Sequence, residues 1–316
     1  MTCAQGPWSV AIIASRESLT VLMRCITAVL TACSSQRVLV DVLINGNPDL
    51  GKQAGDNVQD LDVGMNTVRV WSIPAGDKAN AWNEYVHRIW PAGTHAFFVD
   101  GYVEVRPDAF AALLERMENS AGALAATGVP SAGRSASALR EQMIRQGGMH
   151  GNMHLIHADA MARFRDIGFR LPLGLYRTDS LIGAVLMFGL DTAKNRWDTK
   201  RIAVAPDATW DVPGTAALTF KNVVGQLKRR IRQAQGDLEN KALREHMSVL
   251  RQPVNQLPET SQALVRHWLI SHPDQARSVF LKRPLCFYAA RKLRNARNWS
   301  ADVTSSSLVR ACTGGA

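Results

Sequence analysis

Apolar residues in the first two hundred positions follow two alternating rhythms. Short runs rich in Val, Ile and aromatic residues predict strands: "WSVAIIA" (Trp8 to Ala14), "RVLVDVLING" (Arg37 to Gly46), "NTVRVWSI" and "HAFFVD". Between them, "SLTVLMRCITAVLTA" and "DKANAWNEYVHRIW" repeat their apolar residues at helical intervals and predict helices. Strands alternating with helices imply a mostly parallel sheet covered on both faces. Such sheets bind ligands beyond the carboxyl ends of their strands. That rule draws Ala14 to Glu17, Asn45 to Asn47 and Asp100 to Tyr102 around one crevice.

Further along, the pattern predicts a helix over Asp108 to Glu118 and a strand near Ala123 to Val129. The segment Ser131 to Gly148 is small and polar, then helical. "GNMHLIHADAMARF" reads as a strand passing into a helix near Ala158, and "KRIAVAP" as a late strand. A helix opens at Thr178 or Asp179, both side chains able to cap it. From Gly214 the chain reads as helical, broken by Pro253, Pro258, Pro273 and Pro284, and the last dozen residues read as a loose tail. The expected division is an α/β catalytic domain over 1–213 and a basic helical extension over 214–316.

Charge sharpens that division. The net charge is +10; from Gly214 onward 17 Lys and Arg face 6 Asp and Glu, a net of +11 that leaves −1 for the preceding residues. The basic third suits nucleic acid, anionic lipid head groups or a polyanionic substrate, and charge alone does not choose among them. The five cysteines are odd in number, scattered and never in CxxC spacing, which points away from a disulfide framework or a zinc site. No stretch approaches the roughly 18 apolar residues of a membrane span, and the start "MTCAQGPWSVAII" has no basic region of a secretory signal. A cytoplasmic protein is expected.

Several residues carry candidate chemistry. Asp100 ends a strand at the crevice, where a carboxylate binds a metal or a ribose hydroxyl, or simply caps its turn. Asp179 is either a base or the N-cap of its helix. His150, His154 and His157 are clustered, but strand alternation puts His150 and His154 on one face and His157 on the other, against an all-histidine metal site.

Taken in order, "VAIIASRES", "VLINGN", "GDKANAWNEYV", "FFVDGYVEVRPDAF", "GNMHLIHADAMARF" and "GLYRTDSLIGAVL" resemble the inverting nucleotide-sugar glycosyltransferases of family two, over about Trp8 to Trp210. The resemblance implies an α/β, GT-A-like fold: a Rossmann-related, mostly parallel sheet flanked by helices, here with a helical C-terminal extension. It implies that Ser15 at the first strand's end and Asn45, where an acid is usual, hold the nucleoside. It puts Lys78 near the diphosphate, Asn83 on the nucleotide side, and Asp179 where a base takes the acceptor's proton. Asp100 opens an Asp-x-Asp motif whose second acid is replaced by Tyr102. Any Mg²⁺ or Mn²⁺ is then expected to be weakly held, by Asp100 and the donor diphosphate with water or one histidine, while Tyr102 packs on the donor. "GQLKRRIRQAQG" resembles the Gln-x-x-Arg-Trp element of processive synthases without its tryptophan, with Arg229 and Arg230 toward the leaving diphosphate.

The function implied is transfer of a sugar from a nucleotide-sugar donor to a hydroxyl acceptor, a glycan or lipid-linked glycan, with inversion, in glycan or polysaccharide synthesis. The basic third would rest on an anionic membrane surface at the inner face of the membrane. Two rivals stand beside it: a catalytically weak relative that binds a nucleotide or glycan, and a basic nucleic-acid-binding protein, which lacks any recognised module.

Overall fold

A computed structural model describes residues 8–131, 136–212, 220–294, 297–299 and 305–314. Strand β1 (Trp8–Ala14) leads to helix α1 (Leu19–Ala32), β2 (Leu39–Asn45) to α2 (Pro48–Asn57), and β3 (Thr67–Ile73) to α3 (Lys78–Glu84), which runs on as a π turn, Tyr85–Ile89. Next come β4 (His95–Asp100), the short β5 (Glu104–Val105), α4 (Ala109–Glu118), β6 (Ala125–Pro130) and α5 (Ala136–Gln146). They are followed by β7 (Met153–Ile156), α6 (Ala158–Asp166), α7 (Thr178–Met187) and β8 (Ile202–Asp211). The C-terminal part holds α8 (Phe220–Arg244), α9 (Ser261–Ser271), α10 (Pro273–Lys282), α11 (Pro284–Arg294) and β9 (Ser307–Thr313).

The strands form one sheet in the order β5-β8-β6-β7-β4-β1-β2-β3-β9. Six run one way, and β5, β7 and β9 run against them. The sheet is apolar on both sides, and β1 shows why its sequence is nearly continuous in hydrophobicity. Val10 and Ile12 pack on the side of α1 and α4, while Ala11 and Ile13 pack on the side of α3, α6 and α7. Trp82 fills the second layer, edge-on to Phe164 and Phe169 at centroid distances of 5.4 and 5.8 Å. Truncating so large a buried side chain costs roughly 3–5 kcal/mol.

Helix starts at the crevice are fixed by local capping. The Ser18 hydroxyl accepts from the Val21 amide at 3.4 Å for α1, and Asn47 accepts from Leu50 at 3.1 Å for α2, with Pro48 in the first turn. Asp77 caps α3 by accepting from the Asn80 amide at 3.1 Å. Its carboxylate also accepts from the Gly174 amide at 3.2 Å, tying the start of α3 to the loop before α7.

The C-terminal helices join the same core. Ala234, Leu238 and Ala242 of α8, Leu264 and Trp268 of α9, and Cys286, Ala289 and Ala290 of α11 belong to the buried layer that contains Trp82 and Phe98. The expected boundary between 213 and 214 falls within 213–219, outside the described residues.

Three elements differ from expectation. Helix α2 and strand β5 are additional, and the expected loose tail is a strand. β9 pairs antiparallel with the edge of β3, with the Gly314 amide donating to the Asn66 carbonyl at 3.1 Å. Ahead of it, the Ser306 amide and hydroxyl bond to the Glu84 carboxylate at 2.7 and 2.9 Å. β9 is largely exposed, so pairing to a distant edge, rather than an apolar pattern of its own, orders it.

Candidate active site

The carboxyl ends of β1, β2 and β4 meet at one crevice, as parallel strands with flanking helices require. Gly101 permits that meeting. Its amide donates to the Ile13 carbonyl at 2.9 Å, and a Cβ there would stand 2.6 Å from the Cβ of Ala14. Only glycine lets the end of β4 turn this close to β1.

Asp100 has both carboxylate oxygens engaged. Oδ1 takes the Lys78 ammonium in an ion pair, and Oδ2 is 3.2 Å from the Tyr102 hydroxyl. That hydroxyl shares its single proton with Asn152 Oδ1, 3.0 Å away. Burial, reinforced by the charge of Asp100, pushes the Tyr102 phenol up. Lys78 is the first residue of α3 and is half-buried. Burial alone lowers the pKa of an ammonium, but Asp100, Asp179 and Glu17 outweigh it and hold Lys78 raised.

Asp179 lies in the first turn of α7. The helix cap is Arg177, whose side chain makes no capping bond, so Asp179 is not the N-cap and its carboxylate is left for the crevice. The helix start favours its negative charge. Gly151 backs it: a Cβ on Gly151 would lie 3.3 Å from the Asp179 Cγ and 3.4 Å from Oδ2. Lys78, Asp100, Gly151, His154 and Asp179 line a cleft of about 10 Å³, with Ile13, Trp82 and Phe98 as its apolar wall. This is room for about one water.

His154 is on β7 opposite Phe98, against whose ring it stacks at 5.0 Å. Its Nδ1 faces the His150 carbonyl at 3.2 Å and so carries the proton. Nε2 is buried with no partner among the described residues. Burial, helped by the Lys78 charge, lowers its pKa to about 4, leaving a neutral ring with an open acceptor. His150 accepts from the Asn152 amide at 3.2 Å and packs on Trp210; its pKa is also lowered by burial. His157 caps α6 and packs on His95.

The β1 turn closes on itself. Glu17 accepts from the Ser15 and Arg16 amides at 2.6 and 2.8 Å, and the Ser15 carbonyl accepts from Asn47 at 3.0 Å. The amide nitrogen of Asn45 donates to the Ala14 carbonyl at 2.8 Å, so this buried side chain fixes the first two strand ends to each other.

Asn83, Arg229 and Arg230, expected around the donor, are not among the residues that line that cleft. Asn83 is buried, and its amide clasps the Leu171 backbone at both ends, at 2.9 and 2.8 Å. It positions the strand of chain that leads to α7. Arg229 and Arg230 lie exposed on α8, and neither pairs with Asp100, Lys78 or Asp179 among the described residues. Sequence reasoning missed roles for Glu17 and Asn152, although both stand within the crevice motifs.

The residues do not fit a resident divalent cation. The Asp-x-Asp position offers one carboxylate, both oxygens of which already have partners, and a phenol in place of the second acid. Among the described residues no group of three or more His, Cys, Asp or Glu is arranged to hold a metal. Larger hollows, of about 780 Å³ between α8 and α10 and about 570 Å³ between α7 and α8, contain none of the strand-end residues. The Lys78–Asp100 pair and Asp179 line the small cleft at the strand ends instead. No helix among the described residues is long and apolar enough to cross a membrane.

No family model matches the chain, and no curated protein matches it in sequence. Among solved structures, it is similar to the mannosyltransferase PcManGT from Pyrobaculum calidifontis in complex with GDP-Man and Mn²⁺. The likeness has a TM-score of 0.51 at 13% identity and covers 95% of this chain and 89% of that one. The chain therefore shares the fold of that structure, a mostly parallel, helix-flanked α/β sheet, with the similarity covering nearly the whole of this chain.

Proposed function

We propose that the protein transfers a sugar from a nucleotide-sugar donor to a hydroxyl acceptor, with inversion. The observation that carries the reading is the placement of Asp179 across one cleft from the Lys78–Asp100 pair, beyond the strand ends. In the step that follows, the acceptor oxygen forms a bond to the anomeric carbon while the bond from that carbon to the diphosphate oxygen breaks. The electron pair leaves with the nucleoside diphosphate, and the acceptor proton passes to Asp179. Attack and departure on opposite faces invert the anomeric centre. Lys78 faces the diphosphate, and the β1 turn at Ser15, braced from below by the buried Asn45, faces the nucleoside. The similar enzyme makes GDP-mannose the first donor to test.

The basic C-terminal helices bring the crevice to its acceptor at an anionic lipid surface. Support comes from the corner of α10 and α11. There Leu281, Phe287 and Tyr288 are 84%, 55% and 53% exposed beside the exposed Lys282, Arg291 and Lys292. Exposed aromatic and basic side chains together suit an interfacial surface.

Thermal melting against a panel of nucleoside diphosphates tests the donor reading. A ligand at about 100 times its dissociation constant adds roughly 2.7 kcal/mol. One base should raise the melting temperature above the others; no response to any nucleotide would sink the reading.

A further inference from the structure

We propose that the Lys78 ammonium is this enzyme's permanent cation, filling the place between Asp100 and the donor diphosphate that a divalent ion would otherwise occupy. The inference rests on the donor reading above and deepens it.

An Asp-x-Asp site works by letting a carboxylate hold a positive charge against the diphosphate, where it meets the negative charge that grows as the leaving oxygen takes the electron pair. Three observations put a side chain in that position. The ammonium pairs directly with Asp100, the one acid left in the motif. The backbone of Lys78 is pinned, because Asp77 caps its helix and holds the Gly174 amide at 3.2 Å. The residue in the second acid's position, Tyr102, turns its hydroxyl back onto Asp100 and Asn152, using the carboxylate's other oxygen.

The other two carboxylates of the crevice have separate places. Glu17 is held by the Ser15 and Arg16 amides, and Asp179 sits in the first turn of α7. The Lys78–Asp100 pair is thus a neutral unit whose ammonium has two further donor positions, since –NH₃⁺ carries three. Those protons suit the oxygens of a diphosphate. Losing the second acid and gaining a lysine contact are then one change: a second carboxylate at position 102 would recruit a metal into the place Lys78 fills.

The test is calorimetric titration of ADP, CDP, GDP, TDP and UDP into the full chain, with EDTA and then with Mn²⁺. The proteins are wild type, Lys78→Met, Lys78→Arg and the double variant Lys78→Met/Tyr102→Asp. Circular dichroism melting checks that each is folded. Wild type should bind its preferred nucleotide equally well, within about threefold, in EDTA and in Mn²⁺. Lys78→Met should lose at least about tenfold in EDTA, Lys78→Arg should keep most of the affinity, and the double variant should regain it only with Mn²⁺. Removing one such charge from turnover typically costs about 10²- to 10³-fold.

Wild-type binding that appears only with Mn²⁺, or unchanged affinity in Lys78→Met, would overturn the inference while leaving the donor reading intact. A folded wild type that binds no nucleotide under either condition would overturn both.

Discussion

Gly151→Ala probes Asp179 without replacing it. The new Cβ would meet the Asp179 Cγ at 3.3 Å, Oδ2 at 3.4 Å and Cβ at 3.5 Å, all inside or at the edge of ordinary contact. Gly151 is outside the left-handed region, so alanine adopts its backbone without strain. The substitution removes freedom from the unfolded chain, worth about 0.4–1 kcal/mol, which offsets the crowding. The carboxylate should yield by a few tenths of an ångström. If a 1 Å misplacement costs about 10²-fold, this shift should lower kcat by roughly three- to tenfold. Steady-state release of nucleoside diphosphate at saturating donor, alongside a thermal melt, reads both effects. The expected result is a reduced kcat with donor KM and melting temperature nearly unchanged. Full turnover in a folded Gly151→Ala would show that the position of Asp179 does not govern the reaction.

Other consequences are open to direct measurement. His95 and His154 are both lowered by burial to about 4 from an ordinary value near 6.5, so between those values the unfolded chain binds more protons than the folded one. Stability should therefore fall as pH drops from about 6.5 toward 4, by about 2 kcal/mol per histidine at pH 5; urea midpoints that stay constant from pH 7.5 to 5 would contradict this. Truncation before Ser305 removes β9 and leaves Glu84 without the Ser306 bonds, and should raise aggregation through the bared edge of β3, measured by light scattering. Liposome sedimentation should show binding to anionic but not neutral vesicles, weakened by salt because attraction is screened over about 8 Å, and weakened again by Phe287→Ser with Tyr288→Ser. Equal binding to both vesicles would count against the α10–α11 surface.

What the sequence made legible was whatever periodicity and chain order determine. The strands β1 to β4, with α1 and α3 between them, stand where alternating apolar runs put them, because burial on both faces leaves a continuous local pattern. The end of β4 at Asp100 was visible for the same reason. Partners distant along the chain were not visible. Asn83 clasps Leu171, 88 residues away, and nothing in "GDKANAWNEYV" marks that amide as spent on backbone rather than on a ligand. β9 exists because β3 offers an open edge more than two hundred residues earlier, and its own residues stay largely exposed. The Lys78–Asp100 contact depends on how the start of α3 crosses the end of β4, which spacing alone does not fix. His154 was grouped with two other histidines; only burial and the bond from its Nδ1 to the His150 carbonyl separate it from them.

The most direct test of the proposed chemistry pairs wild type with Asp179→Asn. Each is incubated with a panel of nucleotide sugars, GDP-mannose included, and simple hydroxyl acceptors, and mass spectrometry follows loss of donor and appearance of glycosylated acceptor. The asparagine keeps the shape of the side chain but takes no proton, so nucleotide binding should persist while transfer falls by about 10²- to 10⁴-fold. One donor consumed by wild type, with product of inverted anomeric configuration, is the expected outcome. Transfer by Asp179→Asn at the wild-type rate, or a product that retains the donor's configuration, would contradict the assignment of Asp179 as the base of an inverting transfer.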